Sequence, residues 1–166
     1  MILYLCSSSG KNLELAKFLK ETGESLGGEH QLIDLVALNL PLYSTVAESE
    51  GMPSQIKDLC NQMIDAKGFV YIAPEYNGSI PPVMSNSIAW ISRAGGEDWR
   101  NAFNGKYAAV ATHSGGGGQK VLSAMRTQLE HLGTTVIARE LLTHYQKALN
   151  PDSAKAVLEQ LLSLAK

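Results

Sequence analysis

The sequence predicts a three-layer αβα fold, with helices covering both faces of a five-stranded parallel sheet in the order 2-1-3-4-5. Short, apolar, β-rich runs alternate with amphipathic helical patterns along the whole chain. The strand-like runs are almost continuously apolar, as strands buried on both faces must be. The length of 166 residues, 45% hydrophobic and 18% charged, suits one domain over residues 1–166.

Ile2 to Cys6 reads as the first strand and Asn12 to Leu26 as a helix, with Leu15, Phe18, Leu19, Thr22 and Leu26 on one face. Gln31 to Leu35 is the second strand. Pro53 opens a helix whose apolar stripe is Ile56, Leu59, Cys60, Met63 and Ile64, and Phe69 to Ala73, after the breaker Gly68, is the third strand. Met84, Ile88 and Ile91 recur at helical spacing, Tyr107 to Thr112 is the fourth strand, and Val121, Met125, Leu129 and Leu132 mark the next helix. Thr135 to Ile137 is the fifth strand. Asn150 caps the last helix, Pro151 begins it, and Ala154, Val157, Leu158, Leu161, Leu162 and Ala165 form its buried stripe. Ala37 to Met52 is the longest irregular stretch.

Composition narrows the function classes. A net charge of -2 with scattered Lys and Arg leaves no basic stripe for nucleic acid or an anionic membrane surface. No apolar run approaches the roughly 20 residues that span a bilayer, and Met1 leads straight into a strand, so a cytoplasmic location is expected. Cys6 and Cys60 have neither metal-ligand spacing nor a disulfide framework and read as core residues. No metal site is expected.

In a sheet of this order, ligands bind at the carboxyl ends of the strands, in the crevice between strands 1 and 3. Three loops fall there. Ser7-Ser8-Ser9-Gly10-Lys11-Asn12 places hydroxyls, a glycine and free amides at a helix N-terminus, which suits a monophosphate, although the serines could simply cap the helix. A P-loop would need Gly at Leu5 and Ser or Thr at Asn12, and a dinucleotide fingerprint would need more glycines than the one between Cys6 and Lys11. Pro74-Glu75-Tyr76-Asn77-Gly78-Ser79-Ile80-Pro81-Pro82 leaves the third strand through an Asn-Gly turn and enters a helix at its prolines. His113-Ser114-Gly115-Gly116-Gly117-Gly118 follows the fourth strand; its glycines suit a backbone lying against a flat ligand, or a flexible hinge.

Pro74 to Arg93 resembles the P-E-Y-N-G-S-x-P-x-x-x-K-N-x-I-D-W-x-S-R segment of the NAD(P)H-dependent FMN reductases, flavodoxin-like flavoproteins related to chromate, azo and quinone reductases. Leu38-Asn39-Leu40-Pro41-Leu42-Tyr43 and the glycine loop running into Met125-Arg126 resemble two further segments of that family in the right order. Ser85 stands for the usual Lys and Ala89 for the usual Asp, and the first loop lacks the family's arginine, resembling instead the S-x-T-G-x-T loop of flavodoxins. The resemblance implies FMN as cofactor. By that resemblance Ser7, Ser9, Gly10, Lys11 and Asn12 would hold the phosphate, Pro74, Glu75, Tyr76, Asn77 and Gly78 would meet the ring and ribityl chain, and Ser114, Gly115, Gly116 and Gly117 would line the ring's polar edge.

It further implies an oxidoreductase in which NADPH or NADH reduces the flavin and a small-molecule electron acceptor (quinone, azo compound, metal oxyanion or free flavin) reoxidises it, with no side chain obligatorily catalytic. A homodimer or homotetramer is the implied assembly. An electron carrier that does not oxidise pyridine nucleotide, or a relative that has lost flavin, are the alternatives.

Overall fold

Six strands form one parallel sheet in the computed structural model, which describes residues 1–166. The elements in chain order are β1 Ile2–Cys6, α1 Lys11–Ser25, β2 His30–Asp34, α2 Thr45–Glu50, α3 Ser54–Asp65, β3 Gly68–Ile72, α4 Pro82–Ala94, β4 Tyr107–Ser114, α5 Gln119–His131, β5 Thr135–Val136, β6 Leu141–His144 and α6 Pro151–Leu164. The order is β2-β1-β3-β4-β5, with β6 also paired to β4. That is the predicted order.

The fifth position differs from expectation. β5 pairs with Tyr107 and Ala108, β6 pairs with Ala111 to Ser114, and both lie on the flank of β4 away from β3. One sheet position is therefore filled by two strands with a break between them. A side chain from α5 fills the break. The Arg126 guanidinium donates to the carbonyls of Val136 at 3.2 Å, Ile137 at 3.0 Å and Ala138 at 3.4 Å, replacing bonds an unbroken strand would satisfy otherwise. The second difference is α2, which lies inside the stretch expected to be irregular; Ser44 caps it, Oγ accepting from Ala47 N–H at 3.0 Å.

Alternation along the buried strands sends side chains to two cores. Leu3, Leu5, Phe69, Tyr71, Ala108 and Val110 face the layer of α3, α4 and α5, whereas Ile2, Tyr4, Val70, Ile72, Ala109 and Ala111 face α1 and α6. Both cysteines are buried and unpaired, as their apolar settings suggested. His30 is structural: its Nδ1 meets the Tyr4 hydroxyl at 3.0 Å and its Nε2 lies 3.1 Å from the Gly27 carbonyl. Gly23 permits this packing, since a Cβ there would overlap that hydroxyl.

Candidate functional site

The loops after β1, β3 and β4 meet at the carboxyl edge of the sheet, and specific bonds tie them together. Ser7 N–H donates to Ile72 O at 3.0 Å, continuing the β1–β3 ladder into the first loop. Thr112 Oγ1 donates to Ala73 O at 2.7 Å, anchoring the exit of β3. Asn12 makes the longest reach. Its Nδ2 donates to His113 O at 2.8 Å and its Oδ1 accepts from His113 N–H at 2.7 Å, across 101 residues of sequence. Because β3 ends opposite Ala111, this buried side chain pairs with β4 beyond the point where β3 leaves it. A side-chain amide here does the work of a strand.

These commitments divide the first loop. The Ser7 hydroxyl, buried, donates to Ile72 O at 3.3 Å, and the Asn12 side chain is used by His113. The exposed Lys11 ammonium contacts Glu14 Oε2 at 2.7 Å, and that hydrogen bond raises its pKa above the ordinary lysine value. Ser9 and Gly10 are exposed, and the backbone N–H groups of Ser9, Lys11 and Asn12 have no partner within the chain. An anion at this helix start would meet backbone donors first.

The second loop is a tight turn. Tyr76 and Ser79 exchange backbone hydrogen bonds of 3.1 and 3.0 Å, and both central residues, Asn77 at φ 51° and Gly78 at φ 74°, are left-handed. Asn-Gly is the pair such a turn selects. Pro74 is buried, Tyr76 projects at 52% exposure, and Glu75 Oε2 accepts from Val121 N–H at 3.3 Å in the first turn of α5. A carboxylate at a helix N-terminus is electrostatically favourable, so Glu75 locks this loop to the next.

The third loop exposes Gly115, Gly116 and Gly117, while Ser114 is buried and its Oγ accepts from Gly116 N–H at 3.4 Å. The amides of Gly115 and Gly117 have no partner in the chain. Cβ atoms added at Gly10, Gly116 or Gly117 would meet nothing within 4 Å, so the backbone of both loops is open to approach. That arrangement fits a flat, anionic ligand held by backbone groups.

Two features of this edge escaped the sequence reading. Lys120 lies across the second loop, its stem 3.3 Å from the position of a Cβ on Gly78. The turn after β6, His144 to Lys147, stands beside the glycine loop and the two enclose a cleft of about 370 Å³. The faint signal for that turn was the run Leu141-Leu142-Thr143, too short to read as a strand alone. Trp90 is not part of the cavity surface: it is fully buried, and its Nε1–H donates to Pro41 O at 2.8 Å.

Fold and edge geometry together define a flavodoxin-like α/β protein. FerB of Paracoccus denitrificans, described as a flavoenzyme NAD(P)H:(acceptor) oxidoreductase, superposes with a TM-score of 0.75 at 22% identity, over 99% of this chain and 94% of that one. Residues 1–148 match the family model for NADPH-dependent FMN reductase, and the chain belongs to that family of oxidoreductases. An uncharacterised Mycoplasma pneumoniae protein, the MG342 homolog, is 28% identical over 86% of this chain and 87% of its own length. A quinone reductase of Escherichia coli is 41% identical over 56 residues, which span 33% of this chain and 30% of that protein. Family membership implies a flavin and a nicotinamide co-substrate. No helix is long and apolar enough to cross a membrane.

Proposed function

We propose that this chain, as one domain over residues 1–166, binds FMN and catalyses the transfer of electrons from NADPH or NADH to a small acceptor. A quinone is the first candidate, given the quinone reductase among its relatives. The observation that supports this most is the convergence of three loops at the carboxyl edge of the sheet, the first and third of them carrying unpaired backbone donors.

The residues fit the cofactor. The amides at Ser9, Lys11 and Asn12 would take the phosphate, since an α-helix N-terminus concentrates unpaired donors and positive potential there. The Pro74 to Gly78 turn would contact the ring and ribityl chain, and the amides of Gly115 and Gly117 would meet the polar edge of the ring. When bound, FMN supplies the redox chemistry by accepting hydride from nicotinamide and yielding electrons to the acceptor.

The chain's own contribution is placement. Asn12 and Glu75 fix the three loops relative to one another, so the donors are set before the ligand arrives. Buried Ser7 and Ser114 support the loops from below, while Tyr76 offers an exposed aromatic at the crevice. No side chain is required as acid or base. Leu42 and Val46, exposed at 79% and 67% before α4, support assembly as a homodimer or homotetramer.

The test is an FMN titration of the purified protein, followed by NADPH and NADH under anaerobic conditions while flavin absorbance is recorded. Bleaching by either nucleotide is the expected result. FMN binding without bleaching would indicate an electron carrier, and failure to bind FMN would reject the reading.

A further inference from the structure

The turn after β6 has no part in the roles assigned above, and it carries the most exposed aromatic at this edge. His144 N–H donates to Lys147 O at 3.0 Å and Lys147 N–H to His144 O at 2.8 Å, closing a tight turn that projects Tyr145. Tyr145 is 78% exposed. The ring has neighbours at the end of β4 and in the glycine loop. It meets the His113 ring edge-to-face, with centroids 5.4 Å apart and planes at 88°, and its edge lies 4.0 Å from the position of a Cβ on Gly115.

The surroundings are those of a ligand site. On one side, Gly115 to Gly117 and His144 to Gln146 line the cleft of about 370 Å³. On the other, Lys11, Glu14, Phe18, His113, Thr143 and Lys147 line a second hollow of about 250 Å³, in which Lys11 is paired to Glu14 and Lys147 is the unpaired cation. Lys147 has no carboxylate partner, and the amides of Gly115 and Gly117 are unpaired. An exposed aromatic ring beside a free ammonium suits a planar base that carries phosphates.

We propose that the Tyr145 turn binds the adenosine-diphosphate half of the nicotinamide donor and so sets donor affinity. This rests on the reductase reading, in which the FMN phosphate and ring are already taken up by the loops after β1, β3 and β4. The second phosphate-bearing aromatic in the reaction is the dinucleotide. Tyr145 supplies a stacking surface for adenine, Lys147 a cation for the pyrophosphate, and the glycine loop a shared wall between the two ligands.

The experiment compares wild type, Tyr145→Ala and Tyr145→Phe in three measurements: FMN affinity, calorimetric binding of ADP-ribose to the FMN-loaded protein, and KM for NADPH and NADH against reduced nicotinamide mononucleotide. FMN affinity should stay unchanged in both variants. ADP-ribose affinity should fall about tenfold in Tyr145→Ala, the scale of one base–aromatic stack, and be retained in Tyr145→Phe. KM for the dinucleotides should rise in parallel while that for the mononucleotide, which lacks the adenosine half, stays constant. Absence of ADP-ribose binding to wild type, or an equal rise in KM for mononucleotide and dinucleotide, would overturn the proposal. Loss of FMN binding by wild type would instead overturn the reductase reading.

Discussion

Replacing Asn12 by alanine should destabilise the protein by about 2–5 kcal/mol. The side chain is 3% exposed and satisfies both the N–H and the C=O of His113, at 2.7 and 2.8 Å. Truncation removes both partners at once, and each stranded backbone group costs about 1–3 kcal/mol when water cannot replace the bond. At the roughly 2–4 °C per kcal/mol typical of this chain length, the thermal midpoint should fall by about 4–20 °C. Asn12→Asp should not rescue it: one carboxylate oxygen can still accept from His113 N–H, but the other then faces the His113 carbonyl without a proton to donate. Urea unfolding measures the loss, and amide hydrogen exchange at His113 shows whether it arises there. An alanine variant within 1 kcal/mol of wild type, with the His113 amide still protected, would refute the strand-like role of Asn12.

Gly118 and Gly116 should separate stability from binding. Gly118 sits at φ 91° with a prospective Cβ only 2.8 Å from Thr112 Cγ2, so Gly118→Ala should cost about 1–3 kcal/mol in urea unfolding. Gly116 has open space, and Gly116→Ala should leave stability within about 0.5 kcal/mol of wild type while weakening FMN binding in a titration, because the methyl would intrude between loop and ligand. Lys106 donates to the carbonyls of Ile64 and Ala66 at 2.6 Å each, capping the end of α3; Lys106→Met should cost about 1–2 kcal/mol in the same assay. Burial, with a smaller contribution from Asp34, pushes the Cys6 thiol up to about 11, whereas the ordinary value is 9.0. The unfolded chain therefore releases this proton at lower pH than the native one, so the stabilisation is complete below pH 9 and is lost as pH rises toward 11. Stability curves of wild type and Cys6→Ala should show a shallower alkaline decline in the variant.

Much of the architecture could be read from local chemistry. The Asn-Gly turn at residues 77–78 has the two positive φ angles its composition demands, and Asn150 caps α6 as expected, Oδ1 accepting from Asp152 N–H at 2.9 Å and Ser153 N–H at 3.2 Å. The placement of three loops at one edge followed from strand order alone. What could not be read depends on partners distant in sequence. Asn12 looked like a ligand-facing residue of the first loop because nothing local reveals its bonds to His113. The division of the fifth strand was hidden because β5 and β6 have two and four residues, below the length at which a periodic pattern emerges, and because the side chain stabilising the break belongs to α5. The turn bearing Tyr145 was missed with it. α2 was missed for a related reason: its six residues bury none of their side chains, so it has no apolar stripe.

The divided strand also governs how this molecule meets others. A continuous strand at the margin of a sheet presents a ladder of free amides and carbonyls on which a foreign strand can build, the usual starting point for aggregation. Here that ladder is interrupted between Val136 and Leu141, where the Arg126 guanidinium occupies three carbonyls. At the opposite margin β2 is short and ends in Asp34, whose carboxylate accepts from Val36 N–H at 2.9 Å and Ala37 N–H at 3.2 Å as the chain turns away. Neither margin offers a long template. Contacts with other proteins are thereby directed away from strand pairing and toward helical and loop surfaces, where side chains can discriminate one partner from another.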